Sequence, residues 1–186
     1  MTARTVATLH WRALDRSGED SCRLSQLPSG WMLVGHARFG IDGDWSALDY
    51  VVRCDTDWHT TSADISGLHG GDKIALHVLH LGNDWTVNDA PQPQLAGAVD
   101  IDLGFTPATN LMPLRRLPDI GRMTVRAAWL RSPDQPLEPL DQTYTRARGG
   151  LVHYTAAQTG YQTQLKVNEH GFVTLYPDLW EADHAP

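Results

Sequence analysis

The stretch Tyr161-Gln-Thr-Gln-Leu-Lys-Val-Asn-Glu-His-Gly-Phe-Val-Thr-Leu-Tyr176 decides the fold class. Tyr161, Thr163, Leu165 and Val167 alternate with Gln162, Gln164 and Lys166. A period of two marks a strand with one face in a core. Asn168 to Gly171 supply turn residues, and Phe172 to Tyr176 resumes in residues that favour extended backbone, so the segment reads as a hairpin. The pattern repeats outward from it. Gln142 to Ala147 and Leu151 to Ala156 flank Arg148-Gly-Gly150 as a second hairpin, and Met123, Val125, Ala127 and Trp129 alternate in a longer strand. The C-terminal half is therefore expected to be an antiparallel meander.

The N-terminal half follows suit with less regularity. Candidate strands are Thr8–Ala13, Trp31–Arg38, Ala47–Cys54, Trp58–Ile65, Lys73–Leu81 and Asp84–Val87. Clusters of glycine and aspartate separate them at Gly40–Asp44, Gly67–Asp72 and Gly82–Asp84. A short helix is expected between Thr109 and Arg116, kept short by Pro113 unless that proline sits in the first turn. Pro133 to Pro139 reads as a loop between strands, because the strand pattern resumes at once. About ten short strands in one sheet must curl or close, since a flat sheet of that size leaves long exposed edges. The expected fold is mainly β: one domain over residues 1–186, built as a strongly curved antiparallel sheet, half-barrel or barrel, with a short helical segment near 109–116. Its concave face is where a ligand would sit.

Composition narrows the partners. A net charge of −7 disfavours nucleic acid, whose phosphates need clustered lysines and arginines. The two cysteines, Cys22 and Cys54, lack metal-site spacing and read as buried thiols or a bridged pair. No run of about eighteen apolar residues suggests a transmembrane helix. The first residues lack the apolar core of a secretion signal, so a cytoplasmic location is expected.

Chemistry concentrates in Asp100-Ile-Asp-Leu-Gly-Phe-Thr-Pro-Ala-Thr-Asn-Leu-Met-Pro-Leu-Arg-Arg-Leu117. If Val99 to Leu103 is extended, Asp100 and Asp102 share one face, about 7 Å apart, and repel unless donors intervene. Arg115 and Arg116 are the nearest donors in sequence. A pair of carboxylates is also the equipment of glycoside hydrolysis, with Glu19, after Gly18 in an expected turn, as a third acid. The alternative is structural: Asp100 or Asp102 anchors the Thr106–Asn110 loop or an arginine. Gln142, Tyr144 and Arg146 share a strand face that looks either into a wet pocket or out to solvent. Seven tryptophans against three phenylalanines lean towards the pocket, because indole rings stack on sugar faces and acyl chains. His77 and His80, three apart on a strand, point to opposite faces and make poor joint metal ligands. No phosphate loop, nucleophile elbow or zinc pattern is present, so neither cofactor nor metal is expected.

The same residues resemble the signature of the bacterial glycolipid-binding family first catalogued as a domain of unknown function. That signature is similar to Asp100, Asp102, Leu103, Thr106, Pro107, Thr109, Asn110, Pro113, Arg115, Arg116 and Leu117 here. Further matches run along the chain: Trp11, Gly18-Glu19, Leu24, Gly35, Tyr50, Trp58, Thr60 and Trp85. Gln142, Tyr144, Arg146, Gly171, Val173 and Tyr176-Pro177 continue them. The chain departs from the pattern at Ala98, where a cysteine is usual, and at the small Ala108, both changes of local packing. The resemblance implies a long curved antiparallel sheet wrapped around a short helix, similar in shape to periplasmic lipoprotein carriers, and hence a cavity for an amphiphile.

The expected function is therefore non-enzymatic binding of a glycolipid or related lipid on the concave face. Arg115, Arg116 or Arg146 would pair with an anionic head group, while Asp100, Asp102, Asn110, Gln142 and Tyr144 would hydrogen-bond hydroxyls. Trp11, Glu19 and Thr106 complete the expected ligand-binding set. The alternatives are a hydrolase of a sugar ester or glycoside, and a purely structural or interaction module.

Overall fold

Among the residues described by the computed structural model, 3–41, 43–146 and 148–183, fifteen strands pair into one continuous curved sheet. The first eight are β1 (Arg4–Ala13), β2 (Ser17–Leu27), β3 (Gly30–Ile41), β4 (Asp44–Cys54), β5 (Thr60–His69), β6 (Asp72–Leu81), β7 (Asp84–Val87) and β8 (Ala90–Pro91). Then come β9 (Asp100–Leu103), helix α1 (Leu111–Arg116), β10 (Gly121–Leu130), β11 (Glu138–Arg146) and β12 (Val152–Ala156). The chain ends in β13 (Tyr161–Val167), β14 (Val173–Tyr176) and β15 (Trp180–Ala182). Across the sheet they run β8-β7-β6-β5-β4-β3-β2-β1-β15-β14-β13-β12-β11-β10-β9. Two meanders thus meet where β15 docks on β1, with Trp11 opposite Ala182 and Ala13 opposite Trp180. Of the expected turns and strands, Asp42 and Ala147 lie outside the described residues.

The alternation seen in sequence sets the two faces. On β4, Ser46, Leu48, Tyr50, Val52 and Cys54 are buried while Ala47 and Asp49 face out. Burying each large apolar side chain contributes about 1.5–3 kcal/mol, so such a row fixes the register against a one-residue slip. Gly35 lies opposite Tyr50, and a Cβ there would sit 2.0 Å from the phenol ring. The missing side chain lets the ring cross β3 and place its hydroxyl on Asp20.

Segment 104–117 fills the curl. Its Phe105, Leu111, Met112 and Leu114 are almost fully buried. Phe105 packs against Phe39 and Tyr50, with ring centres 6.1 and 6.0 Å apart, while Thr60 of β5 donates to the Met112 sulfur at 3.4 Å. Pro113 falls in the first turn of α1, where its missing N–H has no intrahelical partner to lose. The helix closes with the Leu117 N–H on the Pro113 carbonyl.

The fold is mainly β with one strongly curved sheet, as expected, and some details need correction. Of the expected forms the sheet does not take the closed barrel: β8 and β9 remain its two ends. It is not wholly antiparallel either, since β9 runs parallel to β10. The chain between them crosses over through α1, and a parallel pair needs that kind of long connection. The 11-residue strand β2 was absent from the expected set. Its inward positions start with Asp20, and a carboxylate on the core face hides the period that Cys22 and Leu24 continue. Gly18 and Glu19 accordingly sit in paired β2, opposite Phe39 and Arg38, and not in a turn. Finally, β5 begins at Thr60 and runs through Gly67 to His69, while Trp58 lies in the preceding turn with φ +68°. Cys22 and Cys54 are both buried free thiols, raised by burial. No helix among the described residues is long and apolar enough to cross a membrane.

Candidate functional site

A pocket of about 360 Å³ opens between the filling segment and the C-terminal meander. Strand β9 contributes Asp102 to its wall, and the segment contributes Thr106, Pro107 and Asn110. The strands and their ends contribute Trp129, Arg131, Leu140, Tyr154, Tyr161, Tyr176 and Trp180. Alternation explains the convergence: Leu140, Gln142 and Tyr144 point inward on β11, as do Val152, Tyr154 and Ala156 on β12. The tyrosines form a continuous surface, with Tyr154 ring centres 5.0 Å from Tyr144, 6.3 Å from Tyr161 and 6.0 Å from Tyr176.

A relay of amides and phenols lies behind this wall. Gln142 donates through Nε2 to Asp102 Oδ2 at 2.6 Å and to the Tyr154 hydroxyl at 3.0 Å. Tyr144 donates to Gln142 Oε1 at 3.3 Å, and Asn110 donates to the Tyr144 hydroxyl at 2.9 Å. Thr109 accepts the Leu103 N–H and approaches Asp102 Oδ1 at 3.4 Å. Asp102 keeps partial access to the pocket yet is crowded by protein on its other sides. That burial pushes its carboxyl up to about 6, with the Gln142 and Thr109 donors pulling the other way. A carboxyl raised to about 6 is still mostly ionised at pH 7, and no lysine, arginine or histidine pairs with it among the described residues.

Asp100, two residues earlier, is fully committed. Arg116 grips both its oxygens, at 2.8 and 2.5 Å, and also donates to the Trp58 carbonyl at 2.8 Å. Burial pushes Asp100 upward and the guanidinium fork opposes it. A third buried carboxylate, Asp20, accepts from Tyr50 at 2.9 Å and from Thr106. Burial raises it to about 6 as well.

The expected site residues thus separate. Asp102, Thr106 and Asn110 line the pocket; Gln142 and Tyr144 are buried behind it, on the inward and not the solvent face. Arg116 is spent on Asp100. Arg115 is exposed, with its guanidinium 4.9 Å from the Trp58 ring centre. Arg146 turns to the Leu117 carbonyl at 3.4 Å. Trp11 is core: it donates to the Val173 carbonyl at 2.7 Å and meets Phe172 edge-on. Glu19 is exposed and away from this pocket. The acid pair that glycoside hydrolysis needs is therefore not assembled by Asp100, Asp102 and Glu19. The pocket's own cation is Arg131, exposed and 5.7 Å from the Trp129 ring centre. Sequence reasoning missed Arg131, Tyr154 and Trp180. The strand pattern around Tyr154 and Tyr161 was visible, but nothing in it says which face lines a cavity.

A solved structure carries the same architecture. A crystal structure of a DUF1089-family protein from Pseudomonas aeruginosa is similar with a TM-score of 0.78 and 28% identity. The likeness covers 89% of this chain and 91% of that one. No curated protein matches. A family model described as "Putative glycolipid-binding" matches residues 8–182, which takes in every strand of both meanders except the start of β1. By that match the chain belongs to the glycolipid-binding family.

Proposed function

We propose that the protein binds the polar head group of a glycolipid or related amphiphile in the Asp102 pocket. One observation carries this reading: a carboxylate with accepting capacity to spare stands on an aromatic wall. Sugar rings present apolar faces to aromatic side chains and hydroxyl donors at their edges, and this wall offers both complements. The family description points the same way. The volume, about 360 Å³, is at the small end of ligand pockets, which span roughly 300–1,000 Å³. It suits a head group of one or two rings, and acyl chains stay outside it. The arginines expected to meet the head group, Arg115, Arg116 and Arg146, do not line the pocket, so Arg131 is the cation positioned to touch it.

The test is native mass spectrometry after incubation with a bacterial lipid extract, alongside tryptophan emission, since Trp129 and Trp180 line the pocket. A retained glycolipid, a change in emission, and affinity at least fivefold weaker in Trp129→Ala are the expected results. Failure to retain any lipid under both conditions counts against the reading.

A further inference from the structure

We infer that the head group carries a protonated amine, seated against Asp102 within the aromatic wall. The inference rests on the pocket being the ligand site and narrows what that site takes. A carboxylate drawn out of water is costly unless a cation or several donors compensate it. The chain meets this demand for Asp100 with the Arg116 fork. Among the described residues it does not do so for Asp102, whose close donor is a neutral amide, Gln142, and whose second oxygen has only Thr109 at 3.4 Å. Arg116 pairs with the first of two neighbouring aspartates and not with the second, which opens onto a cavity. A ligand ammonium supplies what is missing.

The rest of the wall agrees. Tyr154, Tyr161 and Tyr176 line the cavity, the last two with ring centres 6.1 Å apart, and aromatic rings attract cations through their quadrupoles. Burial keeps Tyr154 and Tyr176 protonated, so neither competes as an anion. The charged groups around Asp102 are few. Asp100 on the same strand is neutralised by Arg116, and Arg131 stands at the exposed rim with no ion pair to Asp102 among the described residues. Thr109 and Gln142 face it as neutral groups. A neutral sugar satisfies the hydrogen bonding but leaves the charge unmatched, and charge-assisted bonds are about twice as strong as neutral ones.

Calorimetric titration of the full chain with three octyl glycosides of one ring separates these cases: a 2-amino sugar, its N-acetylated form and the plain 2-hydroxyl sugar. At pH 7 the amine should bind at least tenfold tighter than either neutral form. At pH 4.5, where Asp102 takes up its proton, that advantage should fall below threefold, and it should fall likewise in Asp102→Asn. Phosphoethanolamine as a fourth probe tells an amino sugar from an amine-bearing phospholipid head. Equal affinity for all three glycosides overturns the amine and leaves head-group binding standing. An advantage that survives both acid and Asp102→Asn also overturns it. Binding of none of the probes removes both readings. The acid arm uses the wild-type chain, so the result holds even if the variant folds poorly.

Discussion

The clasp at Asp100 and the pocket at Asp102 start from the same side chain on the same face of β9. They end in different electrostatic states. Asp100 is sealed against a guanidinium delivered by the last turn of α1, with that arginine also tied to the turn before β5. The clasp thereby joins three parts of the chain: strand β9, the crossover helix and the N-terminal meander. Asp102 is held by Gln142 from β11 and has no counter-charge among the described residues. A buried ion pair adds little net stability over an apolar pair but is damaging to break, so it suits a fastening. A crowded carboxylate with spare acceptor capacity is poorly suited to fastening and well suited to a ligand. Two residues of separation divide architecture from recognition.

The largest effect should come from breaking the clasp. Arg116→Ala leaves Asp100 buried without its cation and should lower unfolding free energy by about 3–5 kcal/mol in urea titration. A loss below about 1 kcal/mol would erase the distinction drawn between the two aspartates. Acid should act more mildly and in the opposite direction. Asp102 and Asp20 titrate at about 6 in the folded chain against an ordinary 3.8, so between those values the native state holds protons that the unfolded state has released. Stability should therefore rise as pH falls from 7 towards 4.5, by about 1–3 kcal/mol per group at most. The depressed carboxylates Asp64 and Asp141 give up their contribution only near and below 3.8, outside this window. Asp100, also raised by burial, adds to the same slope. Urea unfolding at pH 7, 6 and 4.5 checks it, and Asp102→Asn should remove the Asp102 share and leave that of Asp20 and Asp100. The smallest effect belongs to Arg115→Ala, which deletes an exposed cation–π contact with Trp58 and should cost about 0.5–1 kcal/mol. Equal losses for Arg115→Ala and Arg116→Ala would mean that the clasp is no more than surface charge.

Much of this was legible in the chain itself. The hairpins at β11–β12 and β13–β14 follow from alternation and their turn residues, and α1 falls where Pro113 permits a first turn. The stretch 100–117 was marked as the place to look, and it supplies Asp102, Thr106 and Asn110 to the pocket. Other parts were illegible for definite reasons. The polar inward residue Asp20 masked β2, because hydrophobic periodicity cannot register a carboxylate facing a core. Arg131 lies just beyond a recognised strand and Trp180 opens β15, which the expected set lacks, so their share in the pocket depends on how the sheet curls. The arginines were assigned to the ligand because charge is visible in sequence while its partner is not.

By itself the sequence determined a β-rich chain, the places where it turns, a short helix between the strands, and family membership through the signature around Asp100. These depend on residues close together along the chain, where backbone sterics and side-chain alternation act directly. Tertiary structure alone decided that the sheet stays open, that β9 lies parallel to β10, and that Gln142 and Tyr144 face inward. It also decided that Arg116, not Arg115, reaches Asp100, and that Asp102 shares a pocket with tyrosines from β12, β13 and β14. Such outcomes turn on contacts between residues far apart in the chain, whose distances are set only when the whole sheet has curled around segment 104–117.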